Sequence, residues 1–385
     1  MLGPPFLLLP PMKVNYAGRD YHFPAEALGG TRQAPLLKPA DELLLKWYAE
    51  ESKLADGPPA IYHDHYGVLT TVLHHAEPIF VSDSIVHHQR RADALQSNDL
   101  SVASSPVNLP YLAPAAAPTI VLMHLPKYLD LFEFYLHGLA QRVGKDFKLA
   151  AAFQTRHFTP RILEIAERYA ATVTQSRAYK KARTLVLSDW RDAPKTELPL
   201  KEIAYRERTY RQHYGVFSSS HVDYATQFLL DTWRTDDQLR LMPAPGSILD
   251  IGTGNGVILD QLLRDFYPEA NLYGTDISHV AVSSAKLNLP PSADIRWQSD
   301  LTGFATDSMD LIVTNPPFHE GHRNTIGPTL NLFREAQRTL APAGYFVVVA
   351  NRHLNYVTHL EKLFGDVREV ATNDKFVVYR SSVPL

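Results

Sequence analysis

The chain has 385 residues, of which 45% are hydrophobic and 21% charged, and its formal net charge is −3. These values are those of ordinary globular proteins, and the length suits two domains. The sequence contains no cysteine, which excludes disulfides and thiolate metal sites and fits a reducing cytoplasm. The near-neutral charge does not indicate a nucleic-acid partner, so any basic surface has to be local.

The beginning of the chain does not have the pattern of a targeting signal. Residues 1–12 are apolar but carry four prolines, and they lack the basic flank and the apolar length of a signal peptide. No apolar run approaches the length that spans a bilayer. We therefore expect a cytoplasmic protein without a membrane partner.

Four segments can be distinguished along the chain. Residues 1–38 are rich in Pro and Gly and predict an irregular arm. Residues 39–192 alternate short apolar runs with amphipathic stretches, and residues 193–200 form a polar linker. The alternation resumes over residues 201–385. This pattern predicts α/β domains, each with a parallel sheet covered by helices on both faces.

Hydrophobic periodicity predicts the individual elements. In the first half it predicts helices over 41–52 and 128–143 and strands at 60–62, 78–82, 119–123 and 148–153. In the second half it predicts a hairpin within 203–216, a helix over 223–233, and strands at 247–251, 271–275, 295–298, 311–314, 345–349 and 376–379.

The two halves repeat each other. Four short matches occur in the same order, at separations of 189, 193, 190 and 196 residues, and they pair Gly67 with Gly256, Asp83 with Asp276, Pro126 with Pro316 and Arg156 with Arg352. Because the separations are nearly constant, a duplicated domain is the better interpretation.

A glycine loop in the second half, Asp250-Ile-Gly252-Thr-Gly254-Asn-Gly256, follows one predicted strand and precedes a helix. Its glycines let the backbone turn sharply and approach a nucleotide. Asp250 at the strand end would repel a pyrophosphate and suits a cationic ligand, which favours S-adenosylmethionine over a dinucleotide.

Two further acidic residues follow the next strands of this half. Asp276 ends the second strand and is placed to bind both ribose hydroxyls, with a helix cap or a turn as the alternative. Asp300 follows the third strand and is placed to contact the adenine amino group, with a solvated loop as the alternative.

The segment Asn315-Pro316-Pro317-Phe318 ends another strand, because prolines cannot donate to a sheet ladder. The Asn315 side-chain oxygen and the Pro316 carbonyl could accept hydrogen bonds from a planar amine and direct its lone pair toward a methyl donor. Phe318 would stack on the ring that carries the amine. The alternative is a tight turn without a chemical role.

These motifs resemble those of class I S-adenosylmethionine-dependent methyltransferases that act on exocyclic or amide nitrogens. The continuation through His319 and the segments 349–354 and 371–378 is similar to the bacterial ribosomal RNA guanine-N2 methyltransferases. The resemblance implies an α/β fold of two tandem Rossmann-like domains, the N-terminal one degenerate. It implies methylation of a guanine N2 amine, with 23S RNA favoured and 16S RNA as the alternative.

The resemblance also has implications for partners and for the rim of the site. It places His319 and Arg352 at that rim, and it implies that ribosomal RNA, or a ribosomal subunit or assembly particle, is the partner of a monomeric enzyme. A protein glutamine amide or adenine N6 is the alternative acceptor. A non-catalytic RNA-binding protein is the alternative outside enzymes.

The first half lacks the residues of both motifs. His65 stands where the second half has Gly254, and Leu125 stands in place of Asn315, so this half is expected to be non-catalytic and to recognise RNA. Its histidines do not predict a metal site, because neighbouring histidines on strands or helices point in different directions and no carboxylate cluster accompanies them.

A local basic run with interleaved tyrosines lies between residues 177 and 211. Such residues bind phosphates and stack on unpaired bases. The run therefore predicts RNA contacts, with a solvated hairpin face as the alternative. The candidate contacts are Arg177, Lys180, Lys181, Arg206 and Arg208.

Overall fold

Each half of the chain is built on a mixed β-sheet with a helical layer on both faces. The computed structural model describes residues 12–24, 36–54, 57–101, 117–192, 195–316 and 327–383. The chain divides into two compact units, Met1–Leu198 and Pro199–Leu385. Among the residues that the structure describes, no helix has the length and apolar character needed to cross a membrane.

The first unit contains a hairpin and a larger sheet. Its elements are β1 (Met12–Tyr16), β2 (Arg19–Phe23), α1 (Pro39–Glu51), β3 (Ala60–Tyr62), α2 (Val68–Val72), β4 (Ile79–Val81), α3 (Ile85–Gln96), β5 (Ile120–His124), α4 (Leu129–Arg142), β6 (Lys148–Gln154), α5 (Pro160–Tyr169), β7 (Ala170–Gln175) and β8 (Ala182–Trp190). Within the described residues, the sheet order is β4-β3-β5-β6-β8-β7. Only β8 runs antiparallel to its neighbours there.

The second unit repeats this plan. Its elements are β9 (Lys201–Tyr205), β10 (Arg208–Gln212), α6 (Tyr224–Thr235), α7 (Asp237–Arg240), β11 (Ser247–Ile251), α8 (Val257–Asp265), β12 (Asn271–Asp276), α9 (His279–Asn288), β13 (Asp294–Trp297), β14 (Met309–Thr314), α10 (Gly327–Thr339), β15 (Leu340–Asn351), α11 (Val357–Leu360), β16 (Asp366–Thr372) and β17 (Phe376–Ser382). The sheet order of the described strands is β13-β12-β11-β14-β15-β17-β16.

The central strands are buried on both faces, as expected for parallel strands between helices. Side chains alternate between two cores: Ile248 faces one core, whereas Leu249 faces the other. The first unit follows the same rule, with Ile61 facing the opposite core from Tyr62. The near-continuous apolar runs in the sequence arise from this two-sided burial.

The predicted irregular arm requires a correction. Residues 12–23 of this arm form the antiparallel hairpin β1–β2, in which Val14 pairs with Tyr21 and both side chains are buried. The second unit has the same hairpin 189 residues later, where Ile203 pairs with Tyr210. The Pro- and Gly-rich flanks obscured a short alternation of buried and exposed residues. The duplication therefore includes the hairpin.

The predicted strands and helices of both sheets are confirmed, with shifts of a few residues at their ends. The strands β7, β8 and β16 were not predicted, although β8 is largely buried. β7 and β16 carry mostly polar or exposed residues. Edge strands of this kind lack the apolar pattern of a buried strand. Both sheets are therefore mixed, although the expectation was of parallel strands throughout.

Candidate active site

The candidate site lies at the carboxyl edge of the second sheet, where β11 stands between β12 and β14. The chain leaves β11 toward β12 and later returns to β14 on the other side. In open α/β sheets, ligands bind at such a reversal of strand order. Ile251 pairs with both Thr275 and Thr314, on neighbouring strands about 4.8 Å apart. The next residues along the chain are Gly252, Asp276 and Asn315.

The glycine loop between β11 and α8 leaves its backbone open to a ligand. The φ angle is 78° at Gly252, 56° at Gly254 and 84° at Gly256, a region that side chains other than glycine rarely adopt. A Cβ atom at Gly252 or Gly254 would meet no atom within 4 Å. At Gly256, a Cβ atom would lie 3.0 Å from Leu289. The first two glycines therefore permit ligand approach, and the third permits close packing of α8.

Asp250 lies on β11 directly before this loop and is fully buried. Neither carboxylate oxygen has a hydrogen-bond partner within the part of the chain that the structure describes. Burial raises the pKa of Asp250 to about 7; the nearby Thr253 hydroxyl opposes this rise, and the charge of Asp276 adds to it. A buried carboxylate without a partner is costly, so a cation at this position would stabilise its charged form.

Asp276 joins the glycine loop to the end of β12. Its Oδ2 accepts a hydrogen bond from the backbone N–H of Gly254 at 2.9 Å, and its Oδ1 accepts one from Ser278 at 2.8 Å. Burial raises the pKa of Asp276. Each oxygen has a second lone pair, so both hydrogen bonds are compatible with additional hydroxyl donors from a ribose.

Asp300 follows β13, the next strand outward, and is exposed. Its Oδ1 accepts hydrogen bonds from the backbone N–H of Thr302 at 3.1 Å and from the Thr302 hydroxyl at 2.7 Å. The residue therefore organises a turn at the same edge of the sheet as the glycine loop.

The side-chain amide of Asn315 is held in one orientation. Its Nδ2 donates to Oδ2 of Asp223 at 3.0 Å and to Oγ1 of Thr226 at 2.9 Å. Both acceptors belong to the start of α6, where Asp223 also accepts from the backbone N–H of Ala225. The opposite atom, Oδ1 of Asn315, is buried and has no partner among the described residues. This oxygen is therefore an unused hydrogen-bond acceptor.

Asp223 and Thr226 were not predicted as site residues. The sequence does contain the signal for a helix start at Asp223, an acidic residue before an apolar repeat. The contact with Asn315 joins residues 92 positions apart and depends on how α6 packs. No local pattern in the sequence indicates that contact.

The structure describes only some of the other residues that were predicted to lie near the acceptor. Phe318 and His319 lie outside the described residues, and Pro316 is buried. Arg352 is exposed at the carboxyl end of β15, and its Nη1 donates to the carbonyl of Asn373 at 3.3 Å. It lies in an open groove whose other residues are Asn351, His353, Asp374 and Lys375.

Arg206 and Arg208 fix the β9–β10 hairpin to its own unit. Arg208 forms two hydrogen bonds, of 3.2 and 3.0 Å, with the buried carboxylate of Asp260. Arg206 binds Asp231 at 2.5 Å and Gln261 at 3.2 Å. Both guanidinium groups thus have partners within the unit. Their contact with RNA stays a prediction.

Arg177, Lys180 and Lys181 are exposed around the turn between β7 and β8 in the first unit. The ammonium group of Lys180 forms an ion pair of 3.0 Å with Glu42. An exposed pair of this kind contributes little to stability and separates easily when a stronger anion binds. This turn therefore remains a basic surface.

The histidines of the first unit contradict the expectation that they point apart. His63 and His65 lie in the loop after β3, and His87 lies on α3. One ring nitrogen from each of the three side chains lies within 4.8 Å of the others. The expectation assumed regular strand or helix geometry, whereas the turn after β3 directs His63 and His65 to the same place.

Comparison with known proteins identifies relatives of both units. The model of the RLMG N-terminal domain matches residues 33–191, and that of the methyltransferase small domain matches residues 207–380. The ribosomal RNA large subunit methyltransferase G of Klebsiella pneumoniae is 32% identical over 364 residues, which cover 89% of this chain and 93% of the relative. The chain belongs to the ribosomal RNA large subunit methyltransferase G family.

Other family members support the same assignment. The enzyme of that name from Yersinia pestis is 30% identical over 376 residues, covering 93% of this chain and 90% of its own length. The match therefore extends over both units. The family assignment confirms the resemblance that the motifs indicated.

A solved structure shows the same architecture. The T. thermophilus 16S rRNA N2 methyltransferase, determined in complex with AdoMet and guanosine, superposes with a TM-score of 0.74 and covers 97% of this chain and 98% of its own. The sequence identity is 21%, so this similarity concerns the fold. It confirms two tandem Rossmann-like domains.

Proposed function

We propose that this protein transfers a methyl group from S-adenosylmethionine to the exocyclic N2 amine of a guanine in 23S ribosomal RNA. The orientation of Asn315 carries the proposal. Its nitrogen is occupied by Asp223 and Thr226, whereas its oxygen is buried, without a described partner and one residue beyond the strand next to the glycine loop. Family membership supports the same reaction and the large-subunit RNA.

The second unit fits S-adenosylmethionine. Gly252 and Gly254 leave the backbone accessible, and Asp250 offers two buried oxygens without partners to a cationic group. Gly256 directly precedes α8. We assign Asp276 to the ribose hydroxyls and Asp300 to the adenine amino group. When bound, this donor supplies an electrophilic methyl group, which leaves its sulfonium sulfur as the new nitrogen–carbon bond forms.

Asn315 orients the acceptor. A guanine N2 amine is a weak nucleophile because its lone pair is delocalised into the ring. The Asn315 oxygen and the Pro316 carbonyl would each accept one of its N–H groups, which holds the nitrogen with its lone pair toward the methyl group. No strong base is required, because the amine proton can pass to water after transfer. The contribution is orientation and proximity.

We propose that the degenerate domain, residues 39–192, and the residues at the rim provide the RNA-binding surface. A linker at 193–200 would join that domain to the catalytic domain, residues 201–385. Phe318 would stack on the target base, and His319, Arg352, Arg177, Lys180 and Lys181 would contact RNA. A paired target guanine would have to leave its helix to reach Asn315.

The proposal also covers the oligomeric state of the protein, its compartment and the form of its RNA substrate. We expect a monomer in the cytoplasm that acts on ribosomal RNA or on a subunit or assembly particle. A comparison of naked 23S RNA with subunits assembled from unmodified RNA would distinguish these substrates.

Unmodified transcripts test the activity directly. The purified protein is incubated with methyl-labelled S-adenosylmethionine and transcripts of 23S or 16S RNA, and nucleosides are analysed by mass spectrometry. We expect N2-methylguanosine at one position of the 23S transcript. Label confined to 16S RNA, to N6-methyladenosine or to protein glutamine would identify one of the alternatives. Absence of S-adenosylmethionine binding by calorimetry would favour a non-catalytic RNA-binding protein.

A further inference from the structure

Three imidazoles converge at the carboxyl edge of the first sheet. His63 and His65 occupy the positions that correspond, 189 residues earlier, to Gly252 and Gly254. The backbone is left-handed at His63 and Gly67, with φ of 60° and 71°, as it is at their counterparts Gly252 and Gly256. His65 does not share the left-handed conformation of Gly254. His63 and His65 therefore place ring side chains at the two positions where the second unit has none.

The three rings have the spacing of a metal site. Nδ1 of His65 is 3.1 Å from Nε2 of His87, and one nitrogen from each ring lies within 4.8 Å of the others. Zinc–nitrogen bonds of about 2.0–2.1 Å in a tetrahedral site place ligand nitrogens roughly 3.3 Å apart. The observed spacing can reach this value with small rotations of the rings.

The surroundings favour metal binding over a simple hydrogen-bonded cluster. Nδ1 of His63 is buried without a partner in the described structure, which is costly unless another group binds it. Nδ1 of His87 is 2.7 Å from the Ser82 hydroxyl, which directs Nε2 toward the other rings. Metal-binding histidines commonly have such a hydrogen bond on the opposite nitrogen.

His124 is a nearby fourth candidate. Its Nε2 is 2.7 Å from the carboxylate of Asp41, and its Nδ1 is buried without a partner among the described residues. The His124 and His65 ring centroids are 5.8 Å apart. A carboxylate bound to one histidine nitrogen, with the other nitrogen free, is a common arrangement beside metals.

We propose that His63, His65 and His87 bind one divalent transition-metal ion in the first unit. Zinc fits best, because neutral imidazoles are among its preferred ligands and three histidines leave a position for His124 or water. The ion would crosslink the loop after β3 to α3.

Zinc binding to the full-length protein tests the proposal. The protein is stripped with EDTA, dialysed and titrated with zinc chloride by calorimetry, and cobalt serves as a spectroscopic probe of tetrahedral geometry. We expect one ion per chain and a higher melting temperature with zinc. His65→Ala and His87→Gln should each weaken binding by about tenfold or more, and Ser82→Ala by about tenfold.

An exposed histidine of the same unit provides the matched control. His75→Ala should bind zinc as the parent protein does, because His75 is exposed and outside the cluster. Circular dichroism in EDTA checks that each variant is folded, and Ser82→Ala tests the site without removing a ligand. Failure of the parent protein to bind zinc, or equal binding by the folded His65→Ala variant, would overturn the proposal.

Discussion

The carboxylate of Asp223 accepts a hydrogen bond from the side-chain nitrogen of Asn315 at 3.0 Å. The same oxygen, Oδ2, also accepts from the backbone N–H of Ala225 at 3.0 Å. One carboxylate oxygen therefore caps α6 and determines which face of the Asn315 amide is directed at a ligand. If the amide were reversed, its N–H groups would face the acceptor amine, and two donors would oppose each other.

Asp223→Ser should separate the two roles of this carboxylate. Serine is a good N-cap residue, so α6 should remain stable, but its shorter side chain does not reach Asn315. Only the Thr226 hydroxyl then holds the amide, and a hydroxyl can either accept or donate. We expect kcat for RNA methylation to fall by about tenfold, because the orientation of the amide is no longer fixed. The KM for S-adenosylmethionine should remain unchanged.

Asp223→Asn is the matched control, because its amide oxygen can occupy the place of Oδ2 and accept the same hydrogen bonds. Its kcat should lie well above that of the serine variant. Equal losses in both variants, or a melting temperature that falls together with kcat, would assign Asp223 to helix stability alone.

Asn315→Ala should abolish methyl transfer while cofactor binding persists. The variant removes the oxygen that accepts from the amine, and loss of one positioned polar group in an active site costs about 100- to 1000-fold in kcat. Calorimetry should give an unchanged Kd for S-adenosylmethionine, because Gly252, Gly254 and Asp250 are retained. Simultaneous loss of binding and catalysis would mean that the turn is structural.

The central strands and the glycine loop could be predicted because their signals are local. Buried parallel strands carry uninterrupted apolar runs, as in β11 and β14. The positive φ angles at Gly252 and Gly256 occur where glycine was expected to permit them. Prolines at positions 316 and 317 marked the end of β14 in the same way.

The remaining features depend on contacts between distant residues. Asn315 meets Asp223 across 92 positions, and His65 meets His87 across 22. Whether an arginine binds RNA or a carboxylate of its own domain is also undetermined by composition. Arg208 belongs to a basic run with interleaved tyrosines, which predicts RNA contacts. In the structure its guanidinium group pairs with the buried Asp260.

Arg208→Ala should destabilise the second unit. Removal of the guanidinium leaves the Asp260 carboxylate, whose side chain is 4% exposed, with only the Tyr210 hydroxyl as a described side-chain partner. Breaking a buried ion pair in this way costs about 3–5 kcal/mol, and the partial exposure of Arg208 places this case near the lower end. Urea denaturation should show a reduced free energy of unfolding.

Arg211→Ala is the matched control for this substitution. Arg211 is exposed on the same strand, β10, so its loss should change stability by no more than about 0.5 kcal/mol. A stability loss equal to that of Arg208→Ala would contradict the specific role of the Asp260 pair.

Asp250→Asn should remove a pH dependence of stability in the cofactor-free protein. Burial raises the pKa of Asp250 to about 7, above the value of about 4 for aspartate in an unfolded chain. Protonation of Asp250 therefore stabilises the folded state. This contribution is fully present below pH 4 and is lost as the pH rises through 7. The variant should match the parent protein near pH 4 and exceed it at pH 8 by as much as about 4 kcal/mol.

Urea denaturation at both pH values measures this difference in stability. The affinity for S-adenosylmethionine is a second measurement, and its pH dependence should have the opposite sign. A cation beside Asp250 favours the ionised carboxylate, so affinity should rise as the pH increases toward 7 and then level off. Asp250→Asn should bind more weakly at pH 8 and lose this pH dependence. A variant that is less stable than the parent protein at pH 8 would show that the Asp250 carboxylate has a stabilising partner in the folded protein.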